Sequence, residues 1–143
     1  QKLISEMERR YETLAKYKVR NIESFNNSVV PKHQNLKKMP YIVLVIDELA
    51  DLMLLSGAEV EDAIQRLAQL ARAAGIHLII ATQRPTKKVI SPIIKSNLPT
   101  RVSFAVAASN DSMTILDQPG AEELLGQGDM IYLPKDQPKL RLQ

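Results

Sequence analysis

The first forty residues divide into a charged helical stretch and a polar connection. Apolar residues recur in the first part at helical spacing, with charged residues between them: Leu3, Ile4, Met7, Tyr11 and Leu14. This periodicity predicts an amphipathic helix over residues 2–17, and residues 21–25 have the pattern of a further short helical turn. Residues 26–40 are polar and basic and contain two prolines, so we expect a surface connection there.

The pattern changes at residue 41, where six apolar residues follow one another without alternation. An unbroken apolar run of this length is typical of a parallel strand that is covered on both faces. Asp47 and Glu48 end the run. The sequence therefore predicts a buried strand over 41–46 that carries two carboxylates at its end.

Helical patterns separate this strand from the next. Residues 49–55 are predicted to form a short helix that closes near Gly57, and an apolar stripe predicts a second helix over 59–74. Gly75 stands where a glycine commonly ends a helix. Residues 77–81 then read as a second buried strand.

The rest of the chain continues this alternation. Helices are predicted at 89–96, 112–116 and 121–125, and strands at 101–106, 130–133 and 140–142. Strands that alternate with helices indicate an α/β fold with a parallel sheet and right-handed crossovers.

Composition narrows the functional classes without choosing one. At 143 residues the chain has room for one core, so one domain is expected. It contains no cysteine, which excludes disulfides, thiolate metal sites and cysteine nucleophiles. The longest apolar run is too short to span a membrane, and a net charge of +3 permits a nucleic-acid partner without requiring one. The first residues have neither an initiator Met nor a signal-peptide layout, so we expect the middle of a longer protein.

The acidic pair Asp47–Glu48 is the first candidate for chemistry. In open α/β sheets, ligands bind beyond the carboxyl ends of the strands, where this pair is predicted to stand. A carboxylate held there can bind Mg²⁺, usually through water, while its neighbour polarises an attacking water. This is the Walker B arrangement of phosphate-cleaving motors. The simpler alternative is that Asp47 only caps the helix beginning at Leu49.

Gln83, Arg84 and Arg72 are the next candidates. Gln83 could orient a water or contact a terminal phosphate, and Arg84 could hold phosphate oxygens in a bidentate fork. The alternative for both is a surface turn stiffened by Pro85. Arg72, in the last turn of its predicted helix, could enter a neighbouring subunit's nucleotide site, although the helix dipole alone also favours a cation there.

Other chemistries have weaker support. His33 and His77 lack partners at metal-ligand spacing, and no Gly-x-Ser-x-Gly motif indicates a hydrolase triad. The basic residues that could contact a phosphate backbone are Lys32, Lys37, Lys38, Lys87, Lys88, Lys95 and Arg101. Scattered basic residues of this kind more often form a solvated face.

Eight blocks of sequence stand in order along nearly the whole chain. They are EMERRY at 6–11, RNI at 20–22, DELADLM at 47–53, LAQLARAAGIHL at 67–78, ATQRP at 81–85, IKSN at 94–97, TILD at 114–117 and LGQGDM at 125–130. Together they resemble the motor of the FtsK/SpoIIIE family. The resemblance implies a RecA-like P-loop NTPase fold, a mainly parallel sheet flanked by helices and incomplete at its N-terminal side.

The same resemblance implies a function and a set of partners. Members assemble as hexameric rings around double-stranded DNA and use ATP with Mg²⁺ to move chromosomes through division septa. Residues 1–143 would be part of one motor ATPase domain, with 1–40 as helical lead-in and basic connection and 41–143 as the Walker B core. This segment would be cytoplasmic, and the full-length protein would be anchored in the cell membrane at the septum.

Residue roles follow by resemblance too. Asp47 and Glu48 become the Walker B pair, Gln83 a sensor of hydrolysis and Arg72 a trans-acting arginine finger. Arg84 would lie on a loop facing either the nucleotide or the DNA channel.

Two departures from the family pattern change these expectations. No Gly-x-x-x-x-Gly-Lys-[Ser/Thr] motif occurs, so we expect these residues alone to bind ATP poorly. Ser109 and Met113 replace basic residues that relatives often carry, and Lys87 and Lys88 could supply the DNA-binding charge instead. The alternatives to a motor are a non-catalytic ring-assembly or DNA-binding module and a conjugative coupling ATPase.

Overall fold

All residues, 1–143, are described by the computed structural model, and they group into two units, Gln1–Ala81 and Thr82–Gln143. The first unit contains α1 (Lys2–Lys16), α2 (Ile22–Ser24), β1 (Ile42–Ile46), α3 (Leu49–Leu70) and β2 (Ile76–Ile80). The second contains α4 (Pro92–Asn97), β3 (Arg101–Phe104), α5 (Ser109–Leu116), β4 (Met130–Leu133) and β5 (Leu140–Leu142). No helix combines the length and the apolarity that crossing a bilayer requires.

Helix α1 forms where its periodicity predicts and buries its apolar face in the first unit. Met7 is only 2% exposed and belongs to a core cluster. The other buried members of that cluster are Leu67, Ala71, Ala74 and Ile76. The cluster therefore joins α1 to the end of α3 and the start of β2.

Glu6 pairs with two arginines on α1. Its carboxylate accepts hydrogen bonds of 2.7 Å from Arg9 Nε and from Arg10 Nε. The hydrogen bond from Arg9, followed by the one from Arg10, lowers the pKa of Glu6 from 4.5 to about 2. The stability that this carboxylate contributes is therefore complete above pH 4.5 and is lost as the pH falls toward 2.

The connection before β1 is more ordered than the sequence predicts. A π-helical turn (Phe25–Val29) and a 3₁₀ turn (Val30–Lys32) follow α2. The Asn26 side chain is buried: its Nδ2 donates to the Met39 carbonyl and its Oδ1 accepts from the Met39 N–H, each at 2.8 Å. The expectation of a surface connection over 26–40 is thus wrong at these positions, because one amide satisfies the backbone of a buried residue.

Strands β1 and β2 pair in parallel, as the sequence predicts, with Ile42 opposite Ile76 and Ile46 opposite Ile80. Side chains on one face of this sheet pack against the α1–α3 cluster. On the other face Val45 is 62% exposed, and Val43 and Ile79 are similarly open. The prediction of a strand covered on both faces is therefore wrong for this chain, whose helices cover one face only.

Helix α3 merges two predicted helices. It runs unbroken from Leu49 to Leu70 apart from a kink at Ser56, where φ is −155° and ψ is 58°. The kink stands one residue before Gly57, where the sequence predicts a break. Its C-terminal end comes four residues earlier than predicted, because residues 71–75 form a turn.

The second unit contains an antiparallel sheet of three strands in the order β3-β4-β5. Tyr132 on β4 is opposite Val102 on β3 and Leu140 on β5. The strands form where they were predicted, but their direction differs from the parallel alternation expected of them. The α/β class with a parallel sheet is confirmed, and that parallel sheet consists of β1 and β2.

Gly75 is required where the chain turns into β2, and we expect Gly75→Ala to be destabilising. Its φ is +75°, and a Cβ there would lie 2.5 Å from Ile22 Cδ1. Left-handed strain and overpacking together predict a loss of about 2–4 kcal/mol. Amide hydrogen exchange of residues 71–80 would measure the loss as faster exchange of β2.

Gly57→Ala is the matched control, because a Cβ there meets Met53 Cε at an ordinary 3.8 Å. An alanine inside a helix should stabilise it by about 0.5–1 kcal/mol. Equal exchange in the two variants would contradict the account of Gly75.

Candidate nucleotide site and arginine turn

The carboxyl ends of β1 and β2 lie side by side and are joined to the start of α3. The Ala81 N–H donates to the Ile46 carbonyl at 2.8 Å, and the Leu49 N–H donates to the Ala81 carbonyl at 2.9 Å. The residues that follow β1 and β2 therefore leave the sheet side by side, at the carboxyl ends of the two strands. This is the edge at which open α/β sheets bind ligands.

Asp47 and Glu48 occupy this edge, and the structure assigns the capping role to Glu48. Glu48 has extended backbone angles, and its Oε1 accepts from the Ala50 N–H at 2.9 Å. The alternative in which Asp47 caps the helix is therefore wrong. Asp47 is exposed at the end of β1, and Glu48 is half-buried. The cap holds the Glu48 carboxylate in one place beside Asp47.

The donor set fits a magnesium ion bound mainly by its substrate. The structure has no cluster of three or more His, Cys, Asp or Glu side chains that could hold a metal by itself. Mg²⁺ in phosphate-cleaving proteins usually takes one or two carboxylates together with substrate phosphates and water. Asp47 at the strand end is a suitable carboxylate for that arrangement.

Four of the other residues predicted near DNA or phosphate belong to the second unit, whereas Lys32, Lys37 and Lys38 belong to the first. Gln83, Arg84, Lys87 and Lys88 are all exposed in the stretch before α4. Hydrogen bonds within this stretch shape it: the Arg84 N–H donates to Thr82 Oγ1, and the Thr86 N–H donates to the Arg84 carbonyl. The convergence of Gln83 with the acidic pair stays a prediction.

Two of the candidate DNA-binding cations are already paired. Lys95 Nζ and Arg101 Nη1 both donate to the carboxylate of Asp117, the latter at 2.6 Å. The hydrogen bond from Lys95, and then the one from Arg101, lowers the pKa of Asp117. These two residues therefore stabilise the end of α5 rather than form part of a free basic surface.

Arg72 lies beyond α3 rather than in its last turn. Ala71 caps the helix, and Arg72 is exposed in the turn that leads to β2. Strands β1 and β2 are parallel and each five residues long. The Arg72 turn precedes β2 and Asp47 follows β1, so the two residues lie beyond opposite ends of the strands. A strand of that length measures about 16 Å at the usual rise, more than an arginine side chain spans. Arg72 is thus not placed to reach the Asp47–Glu48 edge of its own chain.

Arg72 lines an open cleft of about 520 Å³ in the first unit. Its lining includes a second exposed arginine, Arg20, together with Tyr11, Tyr41 and His77. Arg20 was recognisable only as part of the family resemblance, Tyr11 as part of the apolar stripe of α1, and Arg10, which supports this region, by no role of its own. A charged residue in the buried stripe of α1 was the available signal for Arg10.

Comparison with known proteins identifies the family. The model of the FtsK/SpoIIIE family matches residues 1–87. The chain is 56% identical over 138 residues to the DNA translocase FtsK of Sporosarcina ureae, which covers 94% of this chain. The chain belongs to the FtsK/SpoIIIE family. The FtsK of Bacillus anthracis is also 56% identical, over 93% of the chain. This family member spans only 18% and 17% of the length of these two relatives.

Solved structures confirm the P-loop ATPase fold of this family member. The pCW3 conjugation coupling protein TcpA, solved as a monomer with ATPγS, superposes with a TM-score of 0.84 at 31% identity. That match covers 99% of this chain and 41% of TcpA. The cytoplasmic domain of the type VII secretion ATPase EccC of Thermomonospora curvata gives the same TM-score at 24% identity, over 97% of this chain and 16% of EccC.

Proposed function

We propose that this chain is part of a motor that hydrolyses ATP and transports double-stranded DNA during chromosome segregation at cell division. The observation that carries the proposal is the pair Asp47–Glu48 at the joined strand ends, within a chain 56% identical to DNA translocases. Residues 1–143 would form part of one motor ATPase domain. No phosphate-binding loop motif occurs in them, so by themselves they should not hydrolyse ATP.

In the proposed chemistry, Asp47 and Glu48 have separate tasks. Asp47 would hold Mg²⁺, and the ion would supply positive charge against the phosphate oxygens of ATP. Glu48 polarises the attacking water. Its hydrogen bond with the Ala50 N–H supports this role, because a general base must be held in place to act efficiently. Gln83 contacts the terminal phosphate and senses whether it is present.

Arg72 would act in a neighbouring subunit. The separation between its turn and the Asp47–Glu48 edge supports action in trans, since the side chain is too short to act in cis. A guanidinium that arrives from the next subunit offsets charge on the phosphoryl group as it transfers. This arrangement requires a homo-oligomer, and we propose a hexameric ring in the full-length protein, anchored in the cell membrane at the division septum.

Arg84, Lys87 and Lys88 are proposed to hold the DNA backbone. All three are exposed, and they follow directly on the end of β2. Contacts with phosphates carry no sequence information, which suits a motor that must move along any duplex. Val89 is buried and anchors the end of this stretch.

The function is tested by ATP turnover in the complete protein with and without DNA. We expect duplex DNA to stimulate turnover and single-stranded DNA of equal length to do so much less. Replacing both Lys87 and Lys88 by alanine should weaken the stimulation and lower the slope of log affinity against log salt by about 2. Thermal melting would check that the variant stays folded.

The alternatives give other results in the same experiment. Equal stimulation by single strands would favour a conjugative coupling ATPase, a possibility kept open by the 31% identity to TcpA. DNA binding without any turnover would favour a non-catalytic ring-assembly module. An unchanged response after loss of both lysines would contradict their role in gripping DNA.

A further inference from the structure

Arg10 of α1 reaches the turn that carries Arg72. Its side chain is 2% exposed, and its Nη1 donates to the Ala74 carbonyl at 2.9 Å and to the Pro40 carbonyl at 2.8 Å. Glu6 balances its charge through the hydrogen bond to Nε. A buried guanidinium with several partners lies in one position, because releasing any of them leaves a buried polar group unpaired.

Two further hydrogen bonds from the N-terminal segments hold the same turn. The Tyr11 hydroxyl donates to the Leu70 carbonyl at 2.6 Å. The Ile22 N–H donates to the Ala73 carbonyl at 2.9 Å. Contacts from α1 and α2 thus hold backbone carbonyls on both sides of Arg72.

The direction of the Arg72 side chain depends on this backbone. Arg72 is exposed, so packing around its own side chain does little to restrict it. The carbonyls of residues 70, 73 and 74 are instead held by other segments, which sets where the side chain leaves the turn. A displacement of about 1 Å at a reacting group can cost about a hundredfold in rate.

We propose that Arg10, assisted by Tyr11, is a positioning residue for Arg72. The inference rests on the proposed action of Arg72 in trans, and it adds that α1 determines the direction of the Arg72 side chain. Helix α1 then serves the ATPase reaction by holding the turn that carries Arg72.

The test is a set of steady-state measurements on the complete protein with Arg10→Lys, Arg72→Ala and the double variant. Lysine keeps the charge of Arg10 but lacks the planar fork that reaches several acceptors. We expect Arg10→Lys to lower kcat about tenfold or more with the KM for ATP unchanged. The double variant should have the same kcat as Arg72→Ala alone. If Arg10 acts only by orienting the Arg72 side chain, its loss has no further effect once that side chain has been removed.

Arg9→Lys is the matched control. Arg9 is the sequence neighbour of Arg10 and pairs with the same Glu6, but it is exposed, and its side-chain hydrogen bonds go to Glu6. It should keep the wild-type kcat. If Arg10→Lys does not assemble, Tyr11→Phe removes only the hydroxyl bond, with an expected fall in kcat of about threefold and the same non-additivity.

Several results would overturn the inference. A double variant with kcat well below that of Arg72→Ala would mean that Arg10 has a general structural role. A wild-type kcat in Arg10→Lys would mean that the turn keeps its aim without the fork. A wild-type kcat in Arg72→Ala would instead remove the proposed role of Arg72 and the inference with it, so the two failures can be distinguished.

Discussion

Glu48→Gln in the complete protein is expected to lower the turnover of ATP by about 10²–10⁴-fold while ATP binding is retained. Glutamine cannot act as a base, but its carbonyl oxygen can still accept from the Ala50 N–H as Glu48 Oε1 does. The helix cap is therefore kept and only the chemistry is lost. Binding of a fluorescent ATP analogue and release of phosphate would be measured separately.

Alanine at the same position would mix two effects. It removes the base and also the cap, which costs about 1 kcal/mol of helix stability. Glu48→Gln is therefore the more informative variant, and Asp51→Asn is its control. Asp51→Asn makes the same change from carboxylate to amide three residues later, at an exposed position in the first turn of α3. Asp51→Asn should turn over normally. Normal turnover in Glu48→Gln would end the assignment of Glu48 as the base.

Arg72→Ala is expected to lower kcat by about 10³-fold, the lower end of the range for arginine fingers. The substitution should not unfold the protein, because the side chain is exposed. If Arg72 acts in trans, mixing Arg72→Ala and Glu48→Gln subunits should restore part of the activity. Some sites then combine an intact Glu48 with an intact Arg72 from the neighbour.

Arg66→Ala is the control for this experiment. Arg66 is an exposed arginine near the C-terminal end of α3, six residues before Arg72, and it forms an ion pair with Glu8. Its loss should leave kcat unchanged, since exposed ion pairs contribute about 0–1 kcal/mol. Mixed rings no more active than the separate variants would contradict action in trans.

Much of the fold could be predicted because single segments carry clear patterns. The unbroken apolar run at 41–46 and the stripe of α1 specify a strand and a helix with local information alone. The glycine before β2 was equally readable, because the positive φ at Gly75 excludes ordinary side chains. Pattern also located β4 and β5.

The direction of pairing could not be read in the same way. A short apolar strand such as β4 has the same pattern in a parallel and in an antiparallel sheet, and its partners are set by contacts distant in sequence. The burial of Asn26 was missed for a related reason. A polar residue looks exposed until its partner, the backbone of Met39, is known.

The candidate site was predictable in composition but not in arrangement. The sequence singled out Asp47, Glu48 and Arg72, but it offered Asp47 rather than Glu48 as the alternative cap of α3 and placed Arg72 inside the helix. Such details depend on one or two hydrogen bonds at a helix end, where sequence boundaries are least certain. Arg10 was missed because its acceptors are main-chain oxygens far away in sequence.

The pair of main-chain bonds from Ile46 through Ala81 to Leu49 has a consequence for mutagenesis. The peptide of Ala81, the last residue of the first unit, is thus hydrogen-bonded both to the end of β1 and to the start of α3, and no side chain takes part in either bond. Alanine scanning would therefore pass over both. Proline at position 49 would remove the donating amide hydrogen, but Leu49 is only 1% exposed, so a buried side chain would be lost with it. Amide hydrogen exchange of Leu49 and Ala81 in the unaltered chain is therefore the direct measure of these two bonds.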